Sequence, residues 1–365
     1  MGKGSLAPIV IPTLNRYEHL KKCLDSLGKC SGSDKSDIYI SVDYPPSEKY
    51  VEGYKKVKEM LSEYDFGAFH QSYVIYHDNN LGASGNSAFI VKKVYLDGYD
   101  RFVFTEDDNV FSVNFLEYVN FGLTEFENDD KVFAVCGFND SEKKGKAENI
   151  FLSDSFNAYG CGQWTKKCLE LDDWRKRESL ERLLYDKKTR KKLYREKYKK
   201  YWILVRALIE KPNGWCPLFI NSKGEYEGID HLYLLFMEEK HEYCVYPTVS
   251  KVCNIGCDGS GLHVYKGAKY SQVNLDSQIH FNPSYVKPLE VDPQDVKNAN
   301  SDIYALMNVR WSRIHYGIMC FIYMRINKKL AMNIEDFLQR TRHNIWRIKE
   351  EQTTLGQLVK AKIRK

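Results

Sequence analysis

The stretch FVFTEDDNV at residues 102–110 joins four residues of strand character to three consecutive acids, Glu106, Asp107 and Asp108. Adjacent carboxylates repel one another, so a buried strand that ends in this way needs a counter-charge. Mg²⁺ or Mn²⁺ can supply it, because these ions prefer carboxylate and phosphate oxygens and keep positions open for further ligands. An acidic turn at a strand end is also common as a simple solvated turn, so the rest of the chain has to decide between the two interpretations.

The segments before the acidic stretch alternate between strands and helices. An apolar strand ends at Pro12, an amphipathic helix with apolar residues at helical spacing covers 17–27, and strands follow at 38–42 and 73–77. A further helix, from about 87 to 96, leads back to the acidic strand. Such alternation favours a doubly wound, parallel α/β sheet, in which ligands bind at the carboxyl ends of the strands.

Polar residues follow the ends of several predicted strands. Arg16 lies just after the first strand, Asp43 follows the second, and Asn86 comes after the third in a loop rich in Gly and Asn. The carboxyl ends of parallel strands share one edge of a sheet. We therefore expect these residues and the acidic triplet to form a single site.

Four short motifs, taken together, resemble the nucleotide-sugar glycosyltransferases of the GT-A fold. They are IPTLNR at 11–16, SVD at 41–43, LG at 81–82 and TEDD at 105–108. The acidic motif is similar in form to that of the inverting N-acetylglucosaminyltransferase I group and of bacterial family 2-like enzymes. Further similarity at 132–140, 157–164, 228–231, 245–256 and 259–263 extends the resemblance to roughly residues 6–265, with a gap at about 171–214.

This resemblance implies a fold, a domain division and an activity. The expected fold is an α/β, Rossmann-like GT-A domain with a doubly wound mixed sheet over residues 1–292. It holds a basic helical insertion at about 171–214 and is followed by a C-terminal helical, basic appendage at 293–365. The expected activity is inverting, metal-dependent transfer of a hexosyl or N-acetylhexosaminyl group from a nucleoside-diphosphate sugar, with a UDP-sugar favoured. The expected acceptor is a glycan hydroxyl in cell-surface polysaccharide synthesis.

The resemblance also assigns residues to a site for the sugar donor. Asp108 is implied as the direct ligand of Mn²⁺ or Mg²⁺, and His263 as the histidine that approaches the metal or the diphosphate. The residues implied in nucleotide-sugar binding are Pro12, Thr13, Arg16, Asp43, Gly82, Asn86, Glu106 and Asp107. Three of these residues also have a simpler interpretation that stays open. His263 can be an exposed loop histidine, Asp43 can cap a turn, and Arg16 can be a cation on the surface of a helix.

The general base of an inverting reaction must take the proton of the acceptor hydroxyl. Asp230 is the first choice, because it matches the family's base position and opens the apolar helix after Gly228, although a role as helix N-cap alone would also explain it. Asp172, Asp173 and Asp140 are the alternatives. On the acceptor side, the resemblance points to the loop that holds Tyr159, Gly162 and Trp164. The aromatic rings of Tyr159, Trp164 and Trp215 offer flat faces on which sugars stack.

Composition narrows the function classes. The chain has 43% apolar and 28% charged residues, typical of a soluble globular protein, and a net charge of only +5, which argues against a nucleic-acid partner. It has no run of 18 uncharged apolar residues and enters a core strand almost at once, so we expect neither a membrane span nor a signal peptide. Ten cysteines without paired spacing favour a reduced, cytoplasmic protein. Cys253 and Cys257 lack the second pair that a zinc site needs.

Basic residues concentrate in two segments. Residues 175–200 carry thirteen Lys or Arg side chains among leucines and tyrosines, and the chain ends in KAKIRK at 360–365. These segments are either solvated helical faces or surfaces for anionic lipid headgroups and an acceptor diphosphate. The second interpretation predicts peripheral contact with the inner face of the cell membrane and a glycan or lipid-linked glycan acceptor. The C-terminal helices also offer a surface for a homodimer.

Two other function classes use similar features. A nucleotidyltransferase would carry a Gly-rich phosphate loop with a basic residue after the first strand, whereas GKG at 2–4 precedes that strand. A glycan-binding protein that retains the fold without catalysis is the other alternative. The presence of candidate residues for metal, nucleoside and base favours an enzyme over it.

Overall fold

The computed structural model describes residues 4–139, 150–174, 219–220, 226–227, 229–256, 258 and 273–284, together with 318, 321–327, 330, 333–334 and 337. The basic segments 175–200 and 360–365 lie outside these residues, as does most of the predicted C-terminal appendage. The predicted domain boundary near 292 also falls outside them. None of the helices that the structure describes is long and apolar enough to cross a membrane.

The first third of the chain alternates strands and helices as the sequence predicts. The elements are β1 (Ile9–Thr13), α1 (Tyr17–Leu27), β2 (Ile38–Val42), α2 (Glu48–Glu63), β3 (Ser72–Tyr76), α3 (Gly82–Leu96) and β4 (Arg101–Phe104). Strand β1 lies between β2 and β4 and is parallel to both, and β2 is parallel to β3. Helix α1 buries its apolar residues, Leu20, Cys23, Leu24 and Leu27, at helical spacing against this sheet.

Two helices differ from the sequence prediction. Helix α2 was not among the elements predicted from the sequence. Helix α3 begins at Gly82, several residues earlier than expected. The first turn of α3 contains Ser84, Gly85 and Asn86, which have low helix propensity. Hydrogen bonds from Asn86 to Thr13 and Ser41 hold this turn against the ends of β1 and β2, so tertiary contacts override the weak propensity.

The second part of the chain completes a mixed sheet. Its elements are β5 (Asn109–Phe111), α4 (Phe115–Glu125), β6 (Val132–Cys136), β7 (Ile150–Ser153), β8 (Cys161–Trp164), α5 (Thr165–Trp174), β9 (Phe219–Ile220), β10 (Tyr226–Glu227), α6 (Ile229–Lys240), β11 (Tyr243–Pro247) and β12 (Val252–Asn254). The large sheet has the order β3-β2-β1-β4-β8-β6-β11-β7. Strand β8 is antiparallel to both β4 and β6. This arrangement confirms the mixed, Rossmann-like α/β sheet.

A separate two-stranded ribbon follows the acidic turn. Strand β5 leaves the acidic turn directly and pairs with β12, so that Asn109 lies opposite Asn254. The backbone N–H of Ile255 donates to the carbonyl of Asp108 over 2.7 Å. The ribbon therefore brings a segment from late in the chain against the acidic turn.

Candidate active site

The carboxyl ends of β1, β2 and β4 meet at one edge of the sheet because these strands are parallel. The backbone N–H of Asp43, just past β2, donates to the carbonyl of Thr13 at the end of β1 over 2.9 Å. The N–H of Thr105, just past β4, donates to the carbonyl of Val10 over 3.1 Å. The residues that follow these three strands are thereby held side by side.

Arg16 links both aspartates of the acidic turn. It stands immediately before α1, and its Nη1 donates to Oδ2 of Asp108 over 2.7 Å while its Nη2 donates to Oδ1 of Asp107. The hydroxyl of Thr13 donates to the other oxygen of Asp107 over 2.6 Å. The two carboxylate side chains are 6% and 7% exposed, whereas Arg16 is 21% exposed. The counter-charge of the acidic turn in this structure is therefore an arginine of the chain itself.

Asn254 completes the surroundings of Asp108. Its side-chain amide donates to Oδ1 of Asp108 over 2.8 Å and to Oδ1 of Asn109 over 3.0 Å. The N–H of Gly256 donates back to Oδ1 of Asn254 over 3.0 Å, which fixes the orientation of the amide. Each of the four carboxylate oxygens of Asp107 and Asp108 thus accepts a hydrogen bond.

Asn254 is a site residue that the sequence analysis did not assign. It lies 146 positions from Asp108, and only the register of the β5–β12 ribbon places the two together. Local sequence patterns carry no information about that register. The resemblance of the segment at 245–263 was the one signal that pointed to this part of the chain.

Burial and charge act together on the ionisation of the site. Burial raises the pKa of Asp108 above its ordinary value; Arg16 opposes this effect, and the neighbouring charge of Asp107 adds to it. Burial by itself lowers the pKa of Arg16, but the two adjacent carboxylates outweigh it and raise that pKa overall. Two buried acids with one cation leave an excess of negative charge, which attracts a further cation.

Asp43 organises the loop that leads into α3. Its Oδ1 accepts hydrogen bonds from the backbone N–H groups of Tyr44 and Leu81, over 2.9 and 2.8 Å, and its Oδ2 accepts one from the side chain of Asn80 over 3.0 Å. Gly82 follows with φ at +74°, a left-handed conformation that favours glycine. The turn-capping role that the sequence left open for Asp43 is therefore present, and the carboxylate also joins the ends of β2 and β3.

Asn86 braces two strand ends from within the protein. Its Oδ1 accepts from the hydroxyl of Ser41 over 2.5 Å, and its Nδ2 donates to the carbonyls of Ser41 and Thr13 over 2.9 and 3.3 Å. The residue is 2% exposed. Pro12 pairs with Ser41 at a point where β1 already extends past the end of β4. Asn86 and Pro12 therefore contribute to the carboxyl edge of the sheet by holding the backbones of β1 and β2 together.

The predicted acceptor-side residues fall at two ends of one strand. Tyr159 lies in the loop before β8, at the end that pairs with Phe104, and its half-buried ring packs 5.3 Å from the ring of Phe138. Trp164 is buried at the other end of β8, beside Arg101, and its indole N–H donates to the carbonyl of Leu123 over 3.2 Å. The structure therefore brings Tyr159 to the edge that carries the acidic turn, and it does not bring Trp164 there.

Gly162 faces helix α4. A Cβ atom at this position would lie 2.5 Å from Cγ1 of Val119 and 3.0 Å from the side chain of Leu123. Glycine is required here because α4 packs closely on β8. The glycine at 162 thus has a packing role in the core.

The four candidate bases lie in different parts of the chain. Asp230 is the second residue of α6, and the structure describes its backbone only. Asp172 and Asp173 are exposed near the end of α5, whose Leu171 and Trp174 are buried in a cluster with residues of α6. Asp140, Trp215 and His263 lie outside the described residues.

The donor atoms of the site fit a divalent cation that arrives with a substrate. Within the described residues, no group of three or more His, Cys, Asp or Glu side chains could hold a metal. Asp107 and Asp108 nevertheless supply hard oxygen ligands from adjacent positions. Mg²⁺ usually takes one or two carboxylates from a protein and further oxygens from substrate phosphates. The pair suits that arrangement, and it does not suit a closed site made of protein ligands alone.

Comparisons with known proteins give structural matches alone. No protein-family model and no curated protein sequence matches the chain. In structure, about half of the chain matches glycosyltransferases of the GT-A fold. One is the mannosyltransferase PcManGT from Pyrobaculum calidifontis in complex with GDP-Man and Mn²⁺, with 13% identity, a TM-score of 0.32 and coverage of 47% of this chain and 48% of that chain.

The second is S. aureus TarS, with 12% identity, a TM-score of 0.31 and coverage of 46% of this chain and 30% of that chain. TarS 1-349 in complex with UDP-GlcNAc matches with 12% identity and a TM-score of 0.32, over 46% of this chain and 47% of that chain. The chain therefore spans half or less of the length of these proteins. Similarity at this level does not assign an activity, which has to be argued from the site itself.

Proposed function

We propose that the chain is an inverting, metal-dependent glycosyltransferase. It transfers a hexosyl or N-acetylhexosaminyl group from a nucleoside-diphosphate sugar, with a UDP-sugar favoured, to a hydroxyl of a glycan acceptor. The observation that carries this proposal is the cluster of Thr13, Arg16, Asp107 and Asp108 at the carboxyl edge of a mixed α/β sheet. Ligands of doubly wound sheets bind at that edge.

The charges of the cluster suit a diphosphate leaving group. Arg16 presents a planar fork of N–H donors, the geometry that matches phosphate oxygens. Asp107 and Asp108 would hold Mn²⁺ or Mg²⁺, with His263 as a further candidate ligand, and such an ion stabilises the negative charge that develops on the departing diphosphate. The chain's own residues orient the diphosphate and keep the two acids in place.

The nucleoside is proposed to lie toward the end of β2. The backbone N–H of Asp43 donates to the carbonyl of Thr13, whose hydroxyl donates to Asp107 of the acidic turn. The carboxylate of Asp43 can accept from a ribose hydroxyl or a uracil N–H. Its oxygens already accept from Tyr44, Asn80 and Leu81, so Asp43 has two tasks in this proposal. Glu106, half-buried at the start of the acidic turn, is a second candidate for the ribose.

The acceptor hydroxyl is proposed to lose its proton to Asp230, with Asp172, Asp173 and Asp140 as alternatives. A carboxylate on the opposite side of the sugar from the leaving diphosphate is what inversion requires. Tyr159 supplies an aromatic face at the same edge of the sheet and is the described aromatic residue that best fits an acceptor sugar. Trp215 remains the other aromatic candidate.

The test is a titration of the protein with UDP and GDP in the presence of Mn²⁺, followed by a screen of sugar donors for release of nucleoside diphosphate with and without the metal. GDP-Man and UDP-GlcNAc are the first donors to use, since PcManGT and TarS were solved with them. Release that depends on Mn²⁺ supports the proposal. Nucleotide binding without turnover of any donor would favour a non-catalytic glycan-binding protein instead.

A further inference from the structure

We propose that Arg16 is an internal counter-cation that occupies the metal position of the acidic turn until a divalent cation arrives together with a diphosphate. The guanidinium then moves from Asp108 to the diphosphate. This inference rests on the proposed function, because it assigns a regulatory role within the same site. Its consequence is that the chain binds the metal weakly alone and tightly with the nucleotide.

All four carboxylate oxygens of Asp107 and Asp108 already accept a hydrogen bond. Arg16 takes one oxygen of each aspartate, Thr13 takes the second oxygen of Asp107, and Asn254 takes the second oxygen of Asp108. Both carboxylates are almost fully buried. A cation that approaches from solvent therefore meets the guanidinium, which is the most exposed of the three charged groups.

Arg16 can leave the two acids without releasing them from their positions. Thr13 still holds Asp107 from β1, and Asn254 still holds Asp108 from the β5–β12 ribbon. Gly256 fixes the amide of Asn254 in turn. The two carboxylates therefore keep their positions when the guanidinium moves, and a metal ion finds a site that is already arranged.

Arg16 needs a new partner once it leaves the two acids. A guanidinium that leaves a carboxylate needs another anion, and a metal ion alone offers none. A diphosphate provides oxygens that match the planar fork. Metal and diphosphate therefore each favour the binding of the other, and this coupling is reciprocal by thermodynamic linkage.

The experiment measures Mn²⁺ affinity by electron paramagnetic resonance, without nucleotide and with saturating UDP or GDP. The variants are Arg16→Met, which removes the guanidinium, and Arg16→Lys, which keeps the charge but cannot bridge both acids. Lys21→Met is the matched control, since Lys21 is a cation of α1, the helix that Arg16 precedes, and pairs with Asp25 away from the acidic turn. Thermal unfolding followed by circular dichroism establishes that each variant is folded.

The wild-type protein and Lys21→Met are expected to bind Mn²⁺ weakly alone and more tightly with the nucleotide. Arg16→Met is expected to bind Mn²⁺ at least about tenfold more tightly than wild type without nucleotide, since the charge-assisted hydrogen bonds of Arg16 to Asp107 and Asp108 no longer have to be broken. Its affinity for the nucleotide should fall. Arg16→Lys should also bind Mn²⁺ alone more tightly than wild type.

Unchanged Mn²⁺ affinity in folded Arg16→Met would overturn the inference. Wild-type affinity in Arg16→Lys would also overturn it, because charge and not occupancy would then control the metal. Failure of the proposed function has a different signature, since neither UDP nor GDP would bind to wild type or to Lys21→Met at any Mn²⁺ concentration. If only Arg16→Met fails to fold, the Arg16→Lys comparison decides.

Discussion

Asp107 and Asp108 share one arginine but differ in their second partner. Asp107 is held by Thr13 from the first strand, and Asp108 by Asn254 from the ribbon at the other end of the domain's sequence. Each aspartate therefore ties the acidic turn to a different part of the chain. A buried carboxylate with two hydrogen-bond partners keeps its position, which is a requirement for a site that must present fixed charges.

At the scale of single residues, the sequence predicts a site residue well only where few other roles would explain that residue at that position. Three consecutive acids at a strand end predicted a need for a counter-charge, and the structure places Arg16 in that role. Asn254 could not be predicted in the same way, since an asparagine after a strand has many ordinary roles. The amide of Asn86 is engaged with Ser41 and the backbone inside the protein, and its part in nucleotide-sugar binding stays a prediction.

The choice of base yields a prediction at the residue scale. Asp230→Asn should lower the turnover rate by roughly two to four orders of magnitude, the usual range for loss of a general base, while nucleotide affinity stays at the wild-type level. The measurement is steady-state release of nucleoside diphosphate together with a nucleotide titration. Asp173→Asn, at an exposed position of α5, tests the alternative base in the same assay. An inactive Asp173→Asn beside a nearly normal Asp230→Asn would transfer the role of base to α5.

At the scale of elements, a buried ion pair ties the segment 273–284 to the ribbon. Lys251, which precedes β12, is fully buried and pairs with Asp276. Asn114 donates to the same oxygen of Asp276 over 2.9 Å, and the ring of Phe281 lies 5.4 Å from the ammonium of Lys251. The pair therefore supports the ribbon that carries Asn254 to the acidic turn.

Breaking this pair should destabilise the fold. Lys251→Met is expected to cost about 3–5 kcal/mol of unfolding free energy, because Asp276 would remain as a buried charge without its partner. The double change Lys251→Met with Asp276→Leu should recover much of that loss. Lys21→Met, which breaks an exposed pair on α1, should cost less than about 1 kcal/mol. Urea unfolding measures all three, and equal small losses for both lysine variants would contradict the role of the buried pair.

The elements also show where prediction from sequence succeeds and fails. Helix α1 was predicted correctly, because its buried residues recur at helical spacing, and so was β2, whose five residues are all buried. The start of α3 was wrong, because side-chain hydrogen bonds hold a turn of weak propensity. The position of Trp164 at the far end of β8 depends on the antiparallel pairing with β4, and a short apolar strand does not reveal its direction.

At the scale of the whole molecule, the basic segments 175–200 and 360–365 predict reversible contact with an anionic surface. Each basic residue near such a surface contributes about 1 kcal/mol, and this attraction is screened within about 8 Å at physiological salt. We expect the protein to sediment with anionic liposomes at low salt and to be released at high salt. Neutral liposomes are the control. Equal indifference to both kinds would identify the segments as solvated and remove the support for a lipid-linked acceptor.

The central claim is that the acidic edge of the sheet binds a nucleoside diphosphate together with a divalent cation. Its most direct test is calorimetric titration of UDP and GDP, with Mn²⁺ and with excess chelator, into wild type and Asp108→Asn. Wild type should bind one of the two nucleotides, and Mn²⁺ should tighten that binding. Asp108→Asn should lose the contribution of Mn²⁺ while its unfolding temperature stays close to that of wild type. Absence of nucleotide binding by wild type, or the same Mn²⁺ effect in folded Asp108→Asn, would contradict the claim.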